Sequence, residues 1–274
     1  QFNQGAKLFF DQLNAAGGVG KRMVEIRTLD DGYEPDRCAE NTRKLIADDV
    51  FALFGYVGTP TSLAAVPLFN QAKVPFFAPF TGAESLRQPF NRLIFHVRAS
   101  YYDETGLIVR QLVNLGVKKI AVFHQNDAYG KAGLDGVNKA LAEHKLPLAG
   151  AATVERNSVD VAAAVEKLVA AKPDAVVVTL VGADNVNFNR TFAGFGLDKD
   201  IIRASMLLEE NTLLGIGAHL QRILKRHHAA GDAVLETEAL AARQRAESAQ
   251  EILDQQAEYR RRGGRFLVRS EEHT

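Results

Sequence analysis

The sequence predicts an α/β fold in which parallel strands alternate with helices. Apolar runs typical of strands recur along the chain, and their starts are mostly about 25–30 residues apart, the length of one strand–helix unit. Amphipathic patterns typical of helices lie between these runs. Several runs are almost entirely apolar, which indicates strands of a parallel sheet that is covered by helices on both faces.

The predicted strands are short runs rich in β-branched and aromatic residues. They begin near Met23, Val50, Val74, Leu93, Lys119, Leu148, Asp174 and Ile201. The predicted helices carry apolar residues at helical spacing, and glycine or proline marks several of their ends. They cover residues 2–13, 35–46, 61–71, 104–115, 131–144 and 159–171. A doubly wound sheet usually starts with its central strand, so we expect a first strand ahead of the opening helix, outside this sequence.

The amino-acid composition changes near Gly217. All 8 Pro and all but one of the 16 Phe come before this point, and arginine dominates the basic residues after it. We therefore predict a domain boundary there, followed by a helical tail over residues 219–274 that is chimeric or out of frame. A partner-binding or coiled-coil extension is the alternative interpretation of this tail.

Charge and cysteine content exclude several classes of protein. The 33 basic residues balance the 33 acidic ones, which argues against a nucleic-acid partner. A single Cys rules out an internal disulfide and a four-cysteine zinc site. The apolar runs are too short to predict a transmembrane helix. The sequence has no nucleophile elbow, Walker loop, HExxH helix or dinucleotide fingerprint, so we expect no catalytic site, no cofactor and no metal.

Polar turns follow three of the predicted strands, at the edge where ligands bind in open α/β sheets. Residues 58–62 and residues 81–84 each place hydroxyl and glycine residues at a helix start, where backbone N–H groups can hold a carboxylate. Plain helix capping is the alternative for both turns. Tyr129 follows a third strand, where it either packs over a ligand or lies on the surface.

Three blocks of the sequence resemble the substrate-binding proteins of branched-chain amino acid ABC transporters. The blocks are residues 4–83, which open with QGAKLFFDQLNAAGGVG, residues 118–137, KKIAVFHQNDAYGKAGLDGV, and residues 173–197, PDAVVVTLVGADNVNFNRTFAGFGL. The resemblance implies a type I periplasmic binding fold, with two Rossmann-like lobes that close over a small ligand. It also implies a chain truncated at both ends. Lobe I would cover residues 1–117 without its first strand, and an incomplete lobe II would cover residues 118–218.

The resemblance further implies an amino-acid site between the lobes. Its residues would be Thr59, Thr61, Ser62, Phe80, Thr81, Gly82, Ala83, Tyr129 and Glu209. Thr59 is the best candidate within the loop that corresponds to the family's serine-rich, carboxylate-binding loop. Tyr129 corresponds to the aromatic residue from lobe II, and the partner of the ligand ammonium group would be Glu209 or Glu210. The family often has a cysteine pair near Cys38, and the second cysteine is absent here, so no disulfide is expected.

The function that the resemblance implies is solute binding without chemistry on the ligand. We expect an exported, periplasmic monomer that delivers an amino acid or related small polar ligand to an ABC permease in the membrane. A ligand-sensing receptor domain of the same fold, with a helical signalling tail, is the alternative. An α/β enzyme such as a dehydrogenase is a third hypothesis, against which the missing dinucleotide fingerprint counts.

Overall fold

A computed structural model describes residues 2–180, 187–189, 191–192 and 201–206 of the chain, all within one compact unit. The helices are α1 (Phe2–Ala15), α2 (Pro35–Ala47), α3 (Thr59–Ala72), α4 (Tyr101–Asn114), α5 (Ala128–Glu143) and α6 (Ala162–Ala170). The strands are β1 (Leu53–Phe54), β2 (Phe76–Phe77), β3 (Ile94–Phe95), β4 (Ile120–Gln125), β5 (Gly150–Val154), β6 (Ala175–Thr179) and β7 (Ile202–Ser205). One 3-10 turn, Glu84–Leu86, lies between β2 and β3.

The strands form two sheets in which every pair is parallel. In the first sheet β2 lies between β1 and β3, and in the second sheet the order is β5-β4-β6-β7. Val122 of β4 lies in register between Ala151 of β5 and Val177 of β6. Parallel neighbours need a crossover, which α3, α5 and α6 supply. The predicted α/β class with parallel sheets is therefore confirmed.

The second sheet is buried on both faces. Ile120 and Val122 pack with residues of α4 and α5 on one face. Ala121 and Phe123 pack with residues of α6 on the other face. Successive side chains of a strand point to opposite faces, so a strand covered on both sides has to be apolar throughout. This explains the uninterrupted apolar runs seen in the sequence.

The first sheet buries one face more completely than the other. Phe76 and Leu53 are fully buried against α3, where the Phe69 ring stacks on Phe76 with centroids 4.7 Å apart. On the opposite face Phe77 and Phe95 remain 44% and 47% exposed. The strands of this sheet are short, so it positions the site mainly through the turns that follow them.

The strand predicted to begin at Met23 does not form. Residues 23–31 have no regular secondary structure and pair with no strand in the described structure. The backbone N–H and C=O of Val24 bond instead to the side-chain amide of Asn14 in α1, at 2.7 and 2.8 Å. A strand needs a neighbour to satisfy its backbone, and here a side chain takes part of that role.

Helix α4 packs on the second sheet. Its residues Val109 and Leu112 belong to the same apolar cluster as Ile120 and Val137. The predicted lobe boundary after residue 117 stays a prediction, and α4 lies on the lobe I side of it. This packing favours a crossover between the two sheets just before Tyr101.

A capping box begins α4 at this crossover. The Ser100 hydroxyl accepts from the Asp103 N–H at 3.1 Å, and the Asp103 carboxylate accepts from the Ser100 N–H at 3.3 Å. We expect Ser100→Ala to lower the free energy of unfolding by about 1 kcal/mol, because a buried helix start loses its cap. Urea denaturation of the full chain measures this loss. Ser158→Ala, which removes a bond within a loop, is the control, and an equal loss there would contradict the prediction.

Candidate functional site

The two hydroxyl turns predicted from the sequence lie side by side. Val57 and Phe80, just beyond the ends of β1 and β2, form a parallel bridge. The hydroxyl oxygens of Thr59 and Thr81 are 2.6 Å apart, and both side chains are fully buried. The parallel strand ends therefore bring together groups that are 22 residues apart in sequence.

The first turn leads directly into α3. The Thr61 hydroxyl donates to the carbonyl oxygen of Val57 at 2.5 Å, so the backbone engages it, but no described side chain caps the start of α3. Ser62 is also fully buried, yet its hydroxyl has no hydrogen-bond partner among the described residues. A buried polar group without a partner is uncommon and costs free energy. The hydrogen-bonding capacity of the Thr61 hydroxyl is therefore used by the backbone, whereas that of the Ser62 hydroxyl is unused among the described residues.

The second turn packs against the crossover to α4. The Thr81 hydroxyl accepts from the Ala83 N–H at 3.2 Å, and the Gly82 carbonyl accepts from the Tyr101 N–H at 2.7 Å. A Cβ atom on Gly82 would lie 2.6 Å from the carbonyl oxygen of Ala99. Only glycine lets the crossover pass this close, so Gly82 shapes the site through its backbone.

Tyr129 lies at the start of α5, which Asp127 caps. The Asp127 carboxylate accepts from the N–H groups of Tyr129 and Gly130 at 2.9 and 3.1 Å. The Tyr129 ring packs edge-on against Tyr101, with centroids 5.4 Å apart, in a cluster that includes Ala83. Its hydroxyl is buried without a partner among the described residues, and burial raises its pKa well above the usual value. The predicted aromatic residue thus meets the second hydroxyl turn.

Arg98 lies beside the candidate site, and the sequence analysis did not single it out. Its guanidinium lies over the rings of Phe80 and Tyr101, at 4.9 and 5.2 Å. The same group donates two hydrogen bonds to the Glu104 carboxylate, at 2.7 and 2.9 Å. Glu104 neutralises this charge, so Arg98 supports the aromatic wall and is not free to bind an anion.

Tyr33 is a second residue that the sequence did not indicate. Its ring lies against Gly58, where a Cβ atom would be 2.1 Å from the ring, so only glycine fits beside it. The Gln125 amide donates to the Tyr33 hydroxyl at 3.4 Å and also to the Asp127 carboxylate. Burial, and then the Asp127 charge, raise the pKa of Tyr33 above its usual range. Tyr33 thus joins the start of α3 to the end of β4.

A cavity of about 730 Å³ lies on the other side of Tyr33. It runs between residues 26–33 and β1, and Tyr56, Gln125 and Asn157 also line it. None of the residues predicted for the site lines this cavity. The cavity is therefore distinct from the buried hydroxyl pair of Thr59 and Thr81, and the Tyr33 ring lies between them. The predicted ammonium partner, Glu209, lies outside the described residues.

The described residues contain no group of three or more His, Cys, Asp or Glu arranged to hold a metal. None of the helices in the described ranges is long and apolar enough to cross a membrane. The chemistry available at the site is that of hydroxyl groups, amides, aromatic rings and helix N-termini.

Residues 1–257 match the family described as periplasmic binding protein. A protein of Rhodopirellula baltica described as a possible leucine/isoleucine/valine-binding protein has a similar structure, with a TM-score of 0.74 and 31% identity. A substrate-binding periplasmic protein of Ralstonia solanacearum gives a TM-score of 0.69 at 31% identity. Leu/Ile/Val-binding protein homolog 3 of Brucella melitensis is 23% identical over 177 residues.

These similarities cover most of this chain and only part of each relative. The matches cover 79% of this chain and 60% of the Rhodopirellula protein, and 74% and 57% for the Ralstonia protein. For the Brucella protein the figures are 64% of this chain and 48% of the relative. The chain thus spans about half the length of that relative. The family match extends past residue 218, and the separate origin predicted for residues 219–274 stays a prediction.

Proposed function

The chain belongs to the periplasmic binding protein family, and we propose that it binds an amino acid or a related small carboxylate between its two sheets. The binding groups would be the hydroxyls of Thr59 and Ser62 in the first turn of α3, of Thr81 in the turn after β2, and of Tyr129 in the first turn of α5. Under this proposal Tyr33, Tyr101 and Tyr129 supply aromatic walls.

The observation that carries the proposal is a pair of buried hydroxyls without partners. Ser62 and Tyr129 each bury a hydroxyl that bonds to nothing in the described protein, which costs about 1–3 kcal/mol per group. Under this proposal a carboxylate would accept from these hydroxyls and from the N–H groups of Thr59 and Thr61, since Pro60 has no N–H and the Ser62 N–H donates to the Gly58 carbonyl oxygen at 3.2 Å. The positive end of the α3 dipole favours the same negative charge.

Amino-acid specificity is supported by the relatives. The Brucella protein is named for leucine, isoleucine and valine binding, and so, provisionally, is the Rhodopirellula protein. An ammonium partner at Glu209, a periplasmic location, a monomeric state and delivery to an ABC permease all belong to this proposal. They follow from the family resemblance.

Binding without catalysis is supported by the hydroxyl chemistry. A catalytic hydroxyl needs a neighbouring base to take its proton. The hydroxyl bonded to Thr59 is that of Thr81, which is no base, and Thr61 bonds to backbone carbonyls. The Thr59 and Thr81 hydroxyls can donate or accept hydrogen bonds to a ligand, and neither is bonded to a base in the described residues.

A thermal-shift panel on the full chain tests the function. The compounds are L-leucine, L-isoleucine, L-valine and benzoate, with L-leucinamide as the matched control that lacks the carboxylate. At about 100 times Kd a ligand adds about 2.7 kcal/mol to stability, so a carboxylate ligand should raise Tm by about 5–10 °C. Unchanged melting with every compound would contradict solute binding. Equal shifts with L-leucine and L-leucinamide would contradict a carboxylate site.

A further inference from the structure

The loop before α2 reaches from the first sheet to the second. The Glu34 carboxylate accepts from the Arg156 guanidinium at 2.9 Å and from the Asn157 amide at 2.7 Å. The Asn157 amide also lies 3.5 Å from the Gly32 carbonyl oxygen. Arg156 and Asn157 follow the end of β5, more than 120 residues along the chain from Glu34. Three polar contacts therefore join the loop before α2 to the residues that follow β5.

Arg156 is anchored on the second sheet as well. One of its guanidinium nitrogens lies 3.8 Å from the carboxylate of Asp127, the residue that caps α5 beside Tyr129. The Asp127 side chain is only 8% exposed, whereas Glu34 is 42% exposed. Arg156 thus has a buried anchor on one side and a solvent-facing partner on the other.

The same loop covers the hydroxyl turn. Tyr33, adjacent to Glu34, packs its ring on Gly58, the residue before Thr59, and its hydroxyl meets Gln125 at the end of β4. The backbone of Tyr33 has a positive φ of 62°. The Asp31 carboxylate accepts from the Tyr33 N–H at 2.8 Å, which holds this unusual conformation in place. The loop is therefore held against the first sheet by Tyr33 and faces the second sheet through Glu34.

We propose that residues 32–34 form a latch that retains the ligand by fastening the second sheet to the first through Glu34, Arg156 and Asn157. This inference rests on the proposed solute-binding function. A partly exposed ion pair contributes little free energy, so the latch opens readily and suits reversible binding. Contacts made after encounter act mainly on dissociation, so Glu34 is a positioning residue that slows release.

The test is a kinetic comparison on the full chain with L-leucine as the probe, using stopped-flow mixing. Glu34→Gln removes the charge at constant size, and we expect dissociation to become about fivefold faster with little change in the association rate. Asp135→Asn is the matched control. It removes a comparable acidic partner, which Lys131 contacts at 3.0 Å within the exposed surface of α5, and should leave both rates unchanged.

A double-mutant cycle identifies the partner. Arg156→Gln alone should also speed release, and the double variant Glu34→Gln with Arg156→Gln should release no faster than the more affected single variant. Unchanged dissociation in Glu34→Gln, or fully additive effects in the double variant, would overturn the latch while solute binding stands. Failure of the unaltered chain to bind any compound of the panel would overturn the proposed function itself, and the latch with it.

Discussion

Replacing Gly130 with alanine is expected to destabilise the protein by about 3 kcal/mol, the largest loss of stability that we predict. Gly130 lies in the first turn of α5 and faces the end of β4. A Cβ atom there would lie 1.9 Å from the carbonyl oxygen of Gln125 and 2.7 Å from two further backbone atoms of that residue. Backbone atoms cannot swing aside, so the helix start would have to move away from the strand.

Gly106→Ala is the matched control for this loss. Gly106 lies inside α4, and a Cβ atom there would meet nothing within 4 Å. Alanine favours the helix over glycine by about 0.5–1 kcal/mol, so this variant should be slightly more stable than the unaltered chain. Urea denaturation of both variants gives the two free energies of unfolding. Changes of the same sign and size would show that close packing at Gly130 is unimportant.

Replacing Thr59 with valine is expected to weaken L-leucine binding by about 10- to 100-fold. Valine keeps the shape of the side chain and removes the hydroxyl, and a hydrogen bond to a charged group contributes about 1.5–3 kcal/mol. The hydroxyl turn also loses the bond to Thr81, so a small loss of stability accompanies the weaker binding. Isothermal titration of the full chain measures the change in affinity.

Thr105→Val separates binding from folding. Thr105 is also fully buried, and its hydroxyl donates to the Tyr101 carbonyl oxygen at 2.7 Å within α4. The same substitution should cost similar stability there and leave the affinity unchanged. Equal losses of affinity in the two variants would remove Thr59 from the ligand site.

The parts of the fold that the sequence predicted are those that depend on local pattern. The apolar runs of β4 and β6 indicate strands covered on both faces, and both strands lie in the centre of the second sheet. Turns that follow parallel strands meet at one edge of a sheet, which is why residues 58–62 and 81–84 could be paired in advance. The strand predicted at Met23 is wrong because an extended pattern says nothing about whether a neighbour is present.

The candidate site was predictable only for residues that follow parallel strands, because such residues meet at one edge of a sheet. Thr59, Thr81 and Tyr129 lie in turns or helix starts that follow strands; the structure joins Thr59 to Thr81 and packs Tyr129 against Tyr101. The contribution of Tyr33 depends on its contact with Gly58 and on its bond to Gln125, 92 residues away. No pattern in a single sequence links such residues.

The sequence by itself determined the α/β class, the family resemblance and the hydroxyl turns, because each depends on residues that are near one another in the chain. The tertiary structure alone decided which hydroxyls remain available. It engages the Thr61 hydroxyl with the backbone, leaves the Ser62 hydroxyl without a partner in the described part of the chain, and pairs Arg98 with Glu104. Hydrogen bonds are satisfied in three dimensions and compete for the same atoms, so the role of a polar residue depends on neighbours that only folding supplies.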